Sequence, residues 1–302
     1  MKIPQFKGII TVITTPFRKD GSINYDVLAK HMEFLVAAGV HAIMPCGSTG
    51  EYNTMSTEER RQVLAFVADK VKGRVPIYAG TNSMRVDEIV ELSNYAAEIG
   101  YEAIMLAAPP YAIPSRAELA AHFINVAEQT SLPIILYNFP GRTAVDMDAE
   151  FLTAVSGTKA ICAIKESSGS FGRTLQHVML FDKRFQRICG WDDQALDQFL
   201  WGAKSWIAGA SNFLPAEHVA LYEACVVKGD WKRGKEIMAT MMPMIYLLEN
   251  GGKYIQYVKL GCELAGIPVG AMRPPMGGLT PEEKANFTRL YKKLKAAKVG
   301  RS

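Results

Sequence analysis

The fold this sequence predicts is a closed (β/α)8 barrel with a C-terminal helical extension, and three observations point to it. Short runs of β-branched, apolar residues alternate with stretches of helical spacing about eight times, at intervals of roughly 27 residues. No G-x-G-x-x-G follows the first apolar run, which argues against a dinucleotide-binding open sheet. Beyond Lys228 the pattern turns purely helical. At 302 residues the chain exceeds the usual single-domain size, but barrels of this class commonly run this long as one domain. The expected division is a barrel over residues 1–227 and a helical region packed on it over 228–302.

The elements follow in order. Gly8 to Pro16 is β-branched and apolar in character, hence a buried strand; Asp20-Gly21 makes a turn. Tyr25 to Ala38 has apolar residues at helical spacing and stops at Gly39. Ala42 to Cys46 is the second strand, followed by Gly47-Ser48-Thr49-Gly50-Glu51. Ser56 to Val71 is a helix, opened by Ser56-Thr57-Glu58-Glu59 at capping-box spacing. The unit then recurs, with strands at Val75–Ala79, Ala103–Ala108, Pro133–Asn138, Ala160–Glu166, Arg187–Gly190 and Trp206–Ala210. The intervening helices are Val86–Ile99, Arg116–Gln129, Asp148–Val155, Phe171–Phe181 and Asp193–Trp201, and Pro215–Val227 closes the series. Three further helices, Asp230–Leu248, Tyr254–Ala265 and Pro281–Lys298, form the extension.

Composition narrows the function. The hydrophobic fraction of 49% supplies a large core, and a net charge of +4 with interleaved signs does not suit nucleic acid. The only markedly basic stretch, Lys292 to Arg301, reads as a solvated helix end. No apolar run is long enough to cross a membrane. Pro16 and Arg18-Lys19-Asp20 interrupt the apolar N-terminal stretch, so it reads as a strand rather than a signal peptide. Five scattered cysteines without C-x-x-C fit a reducing, cytoplasmic setting. The five histidines show neither H-x-H nor H-E-x-x-H spacing, so no metal site is expected.

Lys165 is the residue out of place. It stands in Ile161-Cys162-Ala163-Ile164-Lys165-Glu166, a run that reads as a strand buried on both faces, where lysine is rare. Strand alternation puts Ile161, Ala163 and Lys165 on one face, with Cys162 and Ile164 on the other. Desolvation disfavours an ammonium, so a lysine here becomes partly neutral and nucleophilic; the plainer reading is a strand-end lysine reaching solvent. Tyr137, on the preceding strand, is either core packing or a phenol that moves protons at a bound carbonyl. The Gly47–Glu51 turn is either ordinary or a small anion nest for a carboxylate. Asp192 and Asp193 bind substrate hydroxyls or cap the helix after them. Arg142 clamps a carboxylate or is solvated.

Four motifs together resemble the dihydrodipicolinate synthase / N-acetylneuraminate lyase family, in order over nearly the whole chain. They are Gly47-Ser-Thr-Gly-Glu51, Tyr137-Asn-Phe-Pro-Gly-Arg-Thr143, Ile164-Lys-Glu166 and Pro268-Val-Gly-Ala-Met-Arg-Pro-Pro275. The resemblance implies a TIM barrel with a helical C-terminal part, no metal, and no cofactor beyond a Schiff base between lysine and a 2-oxo acid, typically pyruvate. By position, Lys165 is similar to the imine-forming lysine and Tyr137 to the proton shuttle. Ser48 and Thr49 match the hydroxyl pair at the keto-acid carboxylate. Tyr111 matches the relay tyrosine that reaches across a subunit interface in the synthases, although its Pro-Pro-Tyr-Ala surroundings depart from theirs. Gly190 and Ile207 are carried over as substrate contacts.

The branch is divided. Arg142 resembles the arginine that binds aspartate semialdehyde, whereas Ser48 and Asp192-Asp193 are similar to lyases of sugar acids; Trp191 fits neither. The expectation ranked first is condensation of pyruvate with aspartate semialdehyde by a homo-oligomer, a dimer or tetramer. Cleavage or dehydration of 2-keto-3-deoxy sugar acids or N-acetylneuraminate comes second. From other classes stand an inactive, ligand-binding regulatory member, and a phosphate-binding barrel using Gly209-Ala210-Ser211.

Overall fold

The computed structural model describes residues 2–71 and 73–300; Arg301, the end of the basic tail, lies outside them. Eight parallel strands form the barrel: β1 (Gly8–Val12), β2 (Ala42–Met44), β3 (Tyr78–Gly80), β4 (Ala103–Ala107), β5 (Ile134–Asn138), β6 (Ile161–Glu166), β7 (Gln186–Cys189) and β8 (Ser205–Ala208). Their order is β2-β1-β8-β7-β6-β5-β4-β3. The ring closes between the two end strands through one parallel bridge, Ile43 with Ile77. Ile43 N–H donates to the Pro76 carbonyl at 3.2 Å, and Gly80 N–H to that of Pro45 at 3.0 Å. Pro45 and Pro76 have no N–H to give, which thins this seam and delays β3 past the expected Val75 start.

Around the strands run α1 (Tyr25–Ala37), α2 (Thr57–Val71), α3 (Val86–Glu98), α4 (Arg116–Gln129), α5 (Pro140–Thr143), α6 (Ala149–Val155), α7 (Phe171–Phe181), α8 (Ala195–Leu200) and α9 (Pro215–Tyr222). The capping box at Ser56 forms: Glu59 N–H donates to Ser56 Oγ at 3.1 Å, and Ser56 N–H to the Glu59 carboxylate at 2.9 Å. Three details differ from expectation. The short α5 was not foreseen; α8 is preceded by a 3-10 turn at Asp192–Gln194; and α9 runs into a π-helical turn at Glu223–Val227.

The extension is α10 (Trp231–Asn250), α11 (Tyr254–Leu264) and α12 (Pro281–Ala296). Met241, Tyr257 and Phe287 from these helices share one buried cluster with Trp206 and Phe213 of the barrel. A buried ion pair crosses the same boundary: Lys259 Nζ of α11 lies 2.5 Å from Glu51 Oε1. Among the described residues no helix is long and apolar enough to cross a membrane.

Strand β6 carries a β-bulge. Ile134 pairs with Ile161 but Ile135 pairs with Ala163, so Cys162 is the extra residue. Cys162 and Ala163 therefore both face the barrel interior, while Ile161 and Ile164 pack outward against the helices. Strict alternation had put Ile161 on the Lys165 face and Cys162 opposite; the bulge changes the phase below Ala163 and reverses both.

Candidate active site

Lys165 and Tyr137 are cross-strand partners on β6 and β5. Lys165 is only 6% exposed, and its Nζ stands 4.1 Å from the centre of the Tyr137 ring. The solvent-reaching alternative for this lysine does not hold. Burial lowers the amine to about 8, against the opposing pull of Asp192, Glu249 and Cys189. A useful fraction of neutral amine is thus present near physiological pH. Burial, reinforced by Glu249, raises the Tyr137 phenol above its ordinary range, so it stays protonated and able to donate.

Gly190, just past β7, makes room for the Lys165 side chain. A Cβ there would sit 2.6 Å from Lys165 Cγ, 2.8 Å from its Cε and 2.2 Å from Ser167 Oγ. Gly190→Ala must displace the amine, and a displacement near 1 Å costs about 10²-fold in rate. The expected outcome is a folded protein whose borohydride-trapped adduct with pyruvate forms at least that much more slowly; trapping at the normal rate would show that the lysine has other room.

The Gly47–Glu51 turn follows β2 as one 3-10 turn, Ser48–Gly50, between Cys46 and Glu51, both left-handed at φ 57° and 58°. Such backbone in non-glycine residues persists only where the surroundings enforce it. Here Thr15 Oγ1 donates to the Gly50 carbonyl at 2.7 Å, and Glu51 is fixed by Lys259 and by the Arg273 N–H at 3.1 Å. Lys259 also donates to the carbonyls of Thr15 and Ala271, at 3.1 and 3.0 Å. Thr49 is buried while Ser48 is exposed, so the two hydroxyls do not occupy equivalent positions as a pair.

The remaining expected residues divide. Ile207 is buried in the barrel interior with Tyr137 and Ala163. Arg142, on α5, is exposed, its guanidinium 5.8 Å from the Phe139 ring centre. Tyr111 is 94% exposed with φ at 71°, so this chain does not pack it beside its own Lys165. Asp192 is buried and each of its oxygens already accepts a bond: Oδ1 from Trp206 Nε1 at 2.8 Å, Oδ2 from the Tyr254 hydroxyl at 2.5 Å. Burial pushes its carboxyl up while those donors and Lys165 draw it back. Asp193 is half-buried and raised for the same first reason. Phe139 and Trp191 meet edge to face at 5.9 Å, with Gly169 beneath the indole. Ser211 Oγ lies 2.9 Å from Thr11 Oγ1 and 3.0 Å from the Ala208 carbonyl oxygen.

Two residues at the mouth were missed. Glu249, in the last turn of α10, accepts the Asp192 N–H at 3.0 Å, and Tyr254 opens α11. Both lie outside the repeat; the only sequence signal was a carboxylate directly after Leu247-Leu248. Glu166 is also fixed, accepting from Ser168 N–H at 2.6 Å and Asn138 Nδ2 at 3.0 Å. His31, His177 and His218 are buried and held neutral, each lowered to about 4 by desolvation. Among the described residues no three His, Cys, Asp or Glu side chains assemble as metal ligands.

Residues 5–294 match the dihydrodipicolinate synthetase family. A 4-hydroxy-tetrahydrodipicolinate synthase from Magnetococcus marinus is 35% identical over 293 residues, covering 96% of this chain and 98% of that one. The crystal structure of dihydrodipicolinate synthase from Aquifex aeolicus superimposes with a TM-score of 0.90 at 31% identity, over 98% of this chain and 99% of the other. A prophage protein of the dihydrodipicolinic acid synthase family from E. coli K12, solved in complex with pyruvate, gives 0.90 at 29%, over 97% and 99%. Fold, length and motif order agree with one another, and this chain belongs to the dihydrodipicolinate synthetase family.

Proposed function

We propose that the protein is a class I, imine-forming lyase that condenses pyruvate, or a close 2-oxo acid, with an aldehyde, aspartate semialdehyde first among them. The observation that carries this reading is the desolvated amine of Lys165 against the Tyr137 ring. The neutral amine attacks the keto carbon. Tyr137 protonates the departing hydroxyl, water leaves, and the protonated imine acts as an electron sink. The Tyr137 phenolate left by that transfer takes a C3 proton, giving an enamine that adds to the aldehyde; the reverse sequence cleaves the bond. Thr49, Ser48 and the amides of the constrained turn hold the 2-oxo acid carboxylate. No metal or dissociable cofactor enters the scheme.

Cleavage of sugar acids has less support, because Asp192, its main argument, already has a bond on each oxygen. Retention of Lys165 beside Tyr137 counts against the inactive regulatory reading. A homo-oligomeric, cytoplasmic enzyme, dimer or tetramer, accords with the exposed Tyr111 and the five free, buried thiols.

Incubation with pyruvate and borohydride should add mass at Lys165 in peptide maps; an adduct confined to another lysine overturns the reading. For the aldehyde, kcat/KM is compared for aspartate semialdehyde and a panel of keto-deoxy acids, in wild type and Arg142→Ala. The exposed guanidinium of Arg142 suits a carboxylate, so the variant should lose the semialdehyde reaction selectively. Equal loss on every substrate would make Arg142 structural.

A further inference from the structure

The scheme needs a proton at two separate places. One belongs at the keto oxygen beside Lys165, within reach of Tyr137. The other belongs at the oxygen of the second carbonyl, which becomes an alkoxide when the enamine attacks. Glu249 stands at the strand end that carries Gly190, the glycine packed on Lys165, through its bond to Asp192. Its Oε1 accepts the Asp192 N–H at 3.0 Å, and its other oxygen has no hydrogen-bond partner among the described residues.

The groups around it come from five elements. They are Lys165 of β6, Tyr137 of β5, Cys189 of β7, Asp192 and Asp193 of the turn after β7, and Tyr254 of α11. Each Asp192 oxygen already accepts a fixed donor, which favours its charged form, and the Asp192 charge in turn raises Glu249.

Resting on the imine reading above, we infer that Glu249 is the proton donor to the carbonyl oxygen of the second substrate. As the C–C bond forms, the carbonyl π pair moves to oxygen, the Glu249 O–H bond breaks and the product hydroxyl forms. In the cleavage direction the carboxylate takes that proton back. After condensation, water at the mouth reprotonates it. Burial, and then the Asp192 charge, raise the Glu249 carboxyl to about 8, so it holds its proton at neutral pH.

Glu249→Gln keeps the size and the acceptor for Asp192 N–H but removes the acidic proton. Three measurements compare it with wild type: borohydride-trapped pyruvate adduct, exchange of pyruvate methyl hydrogens in D2O, and condensation with aspartate semialdehyde or D-glyceraldehyde across neutral to alkaline pH. Adduct and exchange should stay within a few-fold of wild type, while condensation falls about 10²–10⁴-fold. The alkaline fall of kcat in wild type, centred near 8, should vanish from what remains. Condensation at the wild-type rate overturns the inference, as does a proportional loss of exchange, which would mean that Glu249 acts only through Lys165. Wild type that neither traps nor exchanges pyruvate removes the imine reading itself, and this inference with it.

Discussion

Lys165→Arg is expected to abolish both the trapped pyruvate adduct and turnover, although the positive charge remains. A guanidinium is not deprotonated near neutrality and offers no amine lone pair. In wild type, imine formation should climb with pH as the amine loses its proton around 8. Lys165→Met supplies the complementary test, because it removes the amine and keeps an unbranched apolar side chain. The lowering from 10.5 to about 8 corresponds to roughly 3 kcal/mol of destabilisation carried by the buried ammonium. The sign follows from proton counting. Between pH 8 and 10.5 the unfolded chain binds more protons at this site than the folded one, so stability rises with pH across that window. Lys165→Met should therefore be the more stable protein at neutral pH, by up to about 3 kcal/mol, with the advantage shrinking as pH passes 8. Denaturant midpoints at two pH values read this directly. A less stable Met variant would show that the amine is held by attraction rather than merely tolerated. A site that sacrifices stability for reactivity predicts the opposite.

Tyr137→Phe should fold as wild type and lose about 10²–10⁴-fold in turnover, the range for a positioned acid–base group. The ring remains to pack beside Phe139 and under the Lys165 amine; only the hydroxyl is lost. Slower imine formation, seen as slower trapping with pyruvate alone, would place the lost proton transfer at the first carbonyl. Normal trapping with slow condensation would move that role to the second. Unchanged turnover would assign the transfer to another group.

The barrel was legible because its signal is repeated: each strand–helix unit restates the same pattern, and β-branched runs cannot be mistaken eight times. Lys165 was legible for the opposite reason, as a charge that violates its surroundings. The bulge at Cys162 left no such mark. Ile161, Cys162, Ala163 and Ile164 are all compatible with either face of a doubly buried strand, so composition could not reveal the change of phase. Glu249 and Tyr254 were hidden by distance: nothing in a helix sequence records that its last turn reaches a strand end nearly sixty residues earlier (Asp192 and Glu249 are separated by 57). Tyr111 stands 94% exposed, and nothing in Pro109-Pro110-Tyr111-Ala112 marks it as lying outside the chain's own core.

The Glu51–Lys259 pair has a bearing on modularity. A barrel of eight repeated units followed by three helices invites the view of an engine with a detachable housing, open to trimming or exchange between relatives. The ion pair denies that freedom. Residue 259 holds the turn at residue 51, just as 254 and 249 hold residue 192. A chain cut after Lys228 would keep every strand yet strip Glu51 of both Lys259 and the Arg273 N–H, the two contacts that fix the turn from the extension. Recombination within this fold must carry the mouth and the extension together, as one inherited unit.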